Sequence, residues 1–175
     1  SLSGELIIPD SVINTGANAF NGCNSLNGIL KLPNSLQSIG TLAFQECKNL
    51  KGNIVIPKTV TTIGERAFLN CSSLEGLTIE EGCTASLPDG WCSLGVFQGC
   101  KALRGTITIP STFGNLGTNA FGGCSGIEKI IIKNSELNIY DGQGTIDPKT
   151  IIIGYSNSTA QAYATKYNRI FELIQ

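Results

Sequence analysis

The sequence predicts a repeat solenoid of α/β type, and three observations carry the prediction. The first is a fixed period. Residues 52–75 read GNIVIPKTVTTIGERAFLNCSSLE, and the same pattern returns at 4–27, 28–51, 76–104 and 105–128, with a sixth copy opening at Lys129. Four of these copies are 24 residues long and the fourth in order is 29. The second is a two-residue hydrophobic alternation that ends on proline, as at Ile54-Val55-Ile56-Pro57. The third is a set of apolar residues at the same place in every copy, Phe, Cys and Leu above all. A period in this range marks an array in which each unit packs only on its neighbours.

Each element of one copy follows from its residues. Ile54 and Ile56 point inward and Val55 outward, as strand alternation requires. The inward equivalents are Leu6/Ile8, Leu30/Leu32, Leu77/Ile79, Ile107/Ile109 and Ile130/Ile132. Stacked coils pair these strands in a short parallel sheet about 4.8 Å apart. Pro9, Pro33, Pro57 and Pro110 stop the strand, because proline cannot donate to the ladder. Val12, Leu36, Val60 and Phe113 then form one inward column, and Ile39, Ile63 and Leu116 most of a second. A glycine bend follows at Gly16, Gly40, Gly64 and Gly117. The columns of Phe20, Phe44, Phe68, Phe97 and Phe121 and of Leu26, Leu50, Leu74, Leu103 and Ile127 close the coil. The segment ending at the Phe is too short for an independent helix and reads as a single turn on an irregular convex side.

Cys23, Cys47, Cys71, Cys100 and Cys124 each stand three residues after the Phe. A tetrahedral zinc site needs four sulfurs converging at about 2.3 Å, which a straight column does not supply. Parallel neighbours near 4.8 Å also sit beyond the roughly 3.5–4.5 Å Cβ spacing of a disulfide. The column therefore reads as small, buried, reduced thiols.

The recurring motif, clearest as Ile54-Val55-Ile56-Pro57, Ile63-Gly64-Glu65-Arg66-Ala67-Phe68 and Cys71-Ser72-Ser73-Leu74, resembles the BspA-like leucine-rich-repeat family over residues 1–132. The resemblance implies a right-handed leucine-rich-repeat array. It also implies a secreted or surface-attached bacterial protein that mediates adhesion or recognises a host protein, without catalysis. Residues 150–175 resemble the family's terminal element. A strand-like run at 150–153, a short helix at 160–167 behind Ser158-Thr159, and a final strand at 169–174 would form a C-terminal cap. The expected organisation is an array over 1–149, with 133–148 as an irregular coil, and a cap over 150–175. The opening Ser1-Leu2-Ser3-Gly4 matches later coil joins such as Ser25-Leu26-Asn27-Gly28, so the array reads as truncated at its N-terminus.

Composition narrows the function. Charged residues are 14% of the chain and the net charge is -1, which leaves no electrostatic footprint for nucleic acid or an anionic membrane. No run of 18 apolar residues is present, so membrane insertion is not expected. The chain has no histidine. That removes Ser–His and Cys–His nucleophile pairs and His-containing metal sites. A carboxylate pair for glycoside hydrolysis on a β-helix remains the rival reading, and a passive spacer is a third. Yet Glu80 and Glu81 are neighbours facing opposite ways, and Asp141 and Asp147 sit in a loop. No catalytic residue, metal or cofactor is expected, and the partner is a protein bound by a monomer.

Two regions are candidates for contact. The outward row of the sheet carries Ile7, Lys31, Val55, Thr78, Thr108 and Ile131, and exposed aliphatics on such a face mark interaction surfaces. The other is the long fourth coil. Counting from Ile79 makes Cys83 the counterpart of Val60, and counting back from Phe97 makes Cys92 the counterpart of Ile63. A six-residue insertion then lies between two non-column cysteines, with Trp91 at its end. Both cysteines would occupy adjacent inward columns, so a Cys83–Cys92 disulfide is expected, in keeping with an extracellular location.

Overall fold

The computed structural model describes residues 4–90 and 93–174. The chain winds through about seven turns, and its longer strands stack into a parallel array. In chain order these strands are β1 (Gly4–Ile7), β3 (Leu26–Lys31), β5 (Asn53–Ile56), β7 (Gly76–Ile79), β8 (Arg104–Ile109), β10 (Gly126–Ile132), β12 (Ile151–Gly154) and β13 (Phe171–Leu173). They pair in three hydrogen-bonded blocks, β1-β3, β5-β7 and β8-β10-β12-β13. Lys51 N–H donates to Gly28 O at 3.0 Å and Arg104 N–H to Glu75 O at 3.2 Å, which ties the blocks into one row.

Register confirms the alternation. Leu6 lies beside Leu30, Ile54 beside Leu77, Ile56 beside Ile79, Ile107 beside Ile130 and Ile109 beside Ile132. After the strand, the carbonyl of Pro9, Pro33, Pro57 or Pro110 accepts from the N–H three residues on, at 2.9–3.1 Å. Proline thus both ends the ladder and opens a tight turn that delivers Val12, Leu36, Val60 or Phe113 to the core. A second, two-residue ladder follows on the return: β2 (Asn14–Thr15), β4 (Ser38–Ile39) and β6 (Thr62–Ile63), then β9 (Asn115–Leu116) and β11 (Asn138–Ile139).

The glycine bend has a specific cause. A Cβ on Gly40 would lie 2.5 Å from the Gly16 carbonyl carbon, one on Gly64 2.2 Å from Thr41 N, and one on Gly117 2.2 Å from Pro88 O. Each coil here presses its backbone on the coil before it, and only hydrogen fits. From the bend onward the hydrogen bonding reverses direction. Phe20, Phe44, Phe68 and Phe97 donate their N–H groups forward, to Ala43, Ala67, Val96 and Ala120 of the next coil at 2.8–3.0 Å.

The core is a set of ladders. Rings of Phe20, Phe44, Phe68, Phe97 and Phe121 stack with centroids 5.1–5.7 Å apart and planes within 9°. Each fully buried ring contributes roughly 1.5–3 kcal/mol by burial, and stacked pairs add about 0.5–1.5 kcal/mol. Residues 133–148 are more regular than the sequence suggests. β11 continues the second ladder, Leu137 and Ile146 are fully buried, and Thr145 O accepts from Phe121 N. Beyond them comes the helix α1 (Thr159–Lys166), with Ser158 Oγ accepting from Gln161 N–H at 3.2 Å as its N-cap. It begins one residue earlier than expected and packs on β11, β12 and β13.

Candidate functional site

Alternation that buries one side of each strand leaves the other side to solvent, and this outward row is the candidate contact surface. Ile7 stands beside Lys31, Val55 beside Thr78, and Thr108 beside Ile131. The row runs further than the sequence indicated, through Ile153 to Glu172. Ile7 is 60% exposed and Val55 39%; Thr78 and Lys31 are exposed, Thr108 and Ile131 half-buried. Ile29, on the same face of β3, is 46% exposed. Sequence reading missed it because β3 begins at Leu26, before the I-x-I signature, and so presents an extra outward position.

Charges on this face are largely consumed between coils. Lys31 Nζ lies 3.6 Å from Glu5, Arg104 2.8 Å from Glu75, and Lys129 3.1 Å from Glu172. Asn53 Nδ2 donates to Thr78 Oγ1 at 3.1 Å. Such exposed pairs add little stability, but they neutralise the row and leave aliphatic side chains as its free chemistry. The aliphatics fall into two groups. Ile7, Ile29 and Val55 lie toward the first coils. Ile131 and Ile153 lie toward the last, where they line a shallow depression with Glu172, Leu173 and Ile174. The middle of the row is threonine.

The fourth coil corrects one expectation. Leu87, not Cys92, occupies the inward column shared with Leu116. The two residues form a parallel bridge, and Gly117 N–H donates to Leu87 O at 2.7 Å, as Gly64 N–H does to Ile39 O. The extra length thus falls mostly after Leu87. Counting back from Phe97 misplaced it, because an insertion has no periodicity to count on. Cys83 does stand in the Val60 column, fully buried, with a free thiol 3.4 Å from Val60 O. With Leu87 in that column, the count that led to a Cys83–Cys92 bond no longer supports it; Cys92 and Trp91 lie outside the described residues. Asp89 Oδ1 accepts from Thr118 N–H at 3.1 Å and Asn119 Nδ2 donates to Ser93 O at 2.6 Å, which lays the flanks of the insertion on the fifth coil.

The cysteine column is structural chemistry. Cys47, Cys71, Cys100 and Cys124 are fully buried free thiols. Burial pushes Cys47 up to about 11 and Cys124 up to about 12, and raises Cys71 and Cys100 as well. These thiols stay protonated at neutral pH and are poor nucleophiles and metal ligands. Among the described residues no cluster of His, Cys, Asp or Glu is arranged to hold a metal, and no helix is long and apolar enough to cross a membrane. Asp141 is held below the usual carboxylate range by Lys166 and Tyr167, which both bond to it. This exposed cluster ties α1 to the loop before it.

Stacked parallel coils with one Phe, one Cys and one Leu or Ile column define a leucine-rich-repeat solenoid. The model of the BspA type leucine rich repeat region matches residues 2–90 and 92–167. The chain belongs to that family. Among solved structures, the chain is similar to a leucine-rich repeat protein from Bacteroides ovatus, with 26% identity and a TM-score of 0.61 over 90% of this chain and 44% of that one. It is similar to the pneumococcal vaccine antigen PcpA, with 20% identity and a TM-score of 0.73, covering 98% of this chain and 41% of that one. The Treponema pallidum leucine rich repeat protein shares 21% identity at a TM-score of 0.61, covering 96% and 85%. The chain therefore spans under half the length of the first two. No curated protein sequence matches it.

Proposed function

We propose that the array is a non-catalytic scaffold of a surface or secreted bacterial protein, which recognises a host or matrix protein through the outward row of its sheet. One observation carries the reading. The repeat needs only the inward residues to fold, yet the outward row keeps Ile7, Ile29, Val55, Ile131 and Ile153 at exposed or half-exposed positions. Aliphatic side chains on a face whose charges are already paired favour a partner that buries them. One structural neighbour, the pneumococcal vaccine antigen PcpA, fits display outside the cell. On this reading residues 150–175 act as a right-handed array's C-terminal cap, with α1 and β13 shielding the last coil.

The test uses the double variant Val55→Asp, Ile131→Asp against a panel of immobilised extracellular-matrix proteins and against epithelial cell surfaces. Both side chains lie on the outward side of their strands, so the circular dichroism should match the parent. Binding should fall at least tenfold at each surface the parent holds. Retained binding by the variant would remove this face from the function.

A further inference from the structure

Lys31 and Arg104 pair with glutamates of the coil next door, Glu5 and Glu75. The two lysines of the β10 coil reach further. Ile130 and Ile132 are buried, so Lys129 and Ile131 share the outward side of β10. Lys133 follows directly, and its N–H still donates to Ile109 O at 3.1 Å, which carries the alternation one residue on. Lys129 Nζ meets Glu172 at 3.1 Å and Lys133 Nζ meets Glu81 at 3.1 Å. Each pair spans an intervening coil, and the two run in opposite directions along the array. Lys129 lies beside Ile151, and Glu172 beside Ile153, so their ion pair crosses β12 above two half-buried isoleucines. All four charged side chains are 41–59% exposed. Pairs this exposed add little stability and hold two long side chains extended at an entropic cost.

We infer that Lys129, Ile131 and Lys133 form a docking site for an extended acidic segment of a partner protein, with two carboxylates four residues apart and an aliphatic residue midway. The inference rests on the outward row being the contact face, and it names the chemistry that one stretch of that row takes. An extended chain repeats every two residues, so a segment laid along β10 turns both carboxylates and the aliphatic residue to the same side. At about 3.3 Å per residue its carboxylates stand roughly 13 Å apart, the separation of Lys129 and Lys133 along their own strand. Each lysine exchanges a carboxylate held across a coil for one directly overhead, while Glu81 and Glu172 return to the water they already face. Moving Lys129 off β12 also opens Ile151 and Ile153 to the partner, which adds apolar burial. A sulfated polysaccharide would satisfy the two lysines but leave these isoleucines in water, so the apolar centre selects a polypeptide.

The experiment titrates the whole chain into a fluorescein-labelled peptide of sequence STETVTETS and reads anisotropy. Saturable binding is expected, and added salt should weaken it. Lys129→Gln, Lys133→Gln should weaken binding at least tenfold. Glu81→Gln, Glu172→Gln should tighten it about threefold, because the lysines lose their internal partners; a misfolded chain would give no such gain. Peptides STEETVTTS, with the carboxylates respaced, and STETSTETS, without the aliphatic residue, should bind clearly less well. Absence of saturable binding would overturn the proposal, as would equal binding of all three peptides or an unchanged affinity in the glutamate variant. Tighter binding of a heparin tetrasaccharide with the same lysine dependence would also overturn it, since the site would then be one for a polyanion. Loss of matrix binding in the Val55→Asp, Ile131→Asp variant, combined with no response to STETVTETS, would keep the outward row as the contact face and strike the acidic partner alone.

Discussion

Cys47 holds its sulfur 2.9 Å from the carbonyl oxygen of Phe20, one coil back. That carbonyl already accepts from Cys23 N–H at 3.1 Å, so the thiol supplies its second partner. The arrangement recurs from Cys71 to Phe44, Cys100 to Phe68 and Cys124 to Phe97. A small residue that packs as a hydrophobe and still donates a weak hydrogen bond suits this column better than alanine or valine. Cysteine here stitches adjacent coils.

Stability should therefore fall at alkaline pH. Burial raises Cys47 from its ordinary value near 9 to about 11 and Cys124 to about 12. A folded-state value above the unfolded one favours the native state while the thiol stays protonated. That contribution is complete below pH 9 and is lost as pH climbs toward 11–12. Thermal midpoints measured at pH 8 and pH 10.5 should differ, and the difference should shrink in the Cys47→Ala, Cys124→Ala variant. An equal drop in parent and variant would show that these thiols do not carry it.

The ring stack predicts a position-dependent cost for one chemical change. Phe68 is fully buried between Phe44 and Phe97 at 5.2 and 5.1 Å. Phe68→Ala should cost about 3–5 kcal/mol in chemical denaturation. Phe20 has a ring neighbour on one side and is half-buried, so Phe20→Ala should cost clearly less. Equal costs would mean that the column does not act through neighbour stacking.

Left-handed backbone at Leu42 predicts a stabilising substitution. The position two residues before the Phe takes φ of 57° at Asn18, 49° at Asn119 and 60° at Leu42. This conformation costs a residue with a Cβ roughly 1–2 kcal/mol, and asparagine tolerates it best after glycine. Leu42→Asn should raise stability by about 0.5–1 kcal/mol, whereas Leu42→Val, with branching at Cβ, should lower it. A loss with asparagine would mean that the half-buried leucine side chain outweighs the strain.

Much of this was legible in the sequence because repetition reports each contact several times. The inward pairs, the proline turns and the Phe, Cys and Leu columns all landed where the period put them, down to Cys83 in the Val60 column. The misreading came where repetition stopped. Cys92 was assigned to a column that Leu87 holds, since nothing in a single insertion says on which side of a strand its extra residues fall. Residues 133–148 looked irregular because Ile146 replaces the phenylalanine on which recognition rested, although it fills the same core. The outward row was only half visible. Ile153 joins it through pairing with Ile131 of β10, a relation that alternation within one strand does not reveal.

In a nearest-neighbour array each coil is held by the coils beside it. Residue-resolved hydrogen exchange measures this directly. The amides that donate across coil boundaries are Ile8 to Lys31 and Phe20 to Ala43 in the first coil, and Phe68 to Val96 and Phe97 to Ala120 further in. Protection should be weakest at Ile8 and Phe20, where one neighbour is present, and rise to a plateau through Phe68 and Phe97. Protection that is equal at all four amides would contradict it.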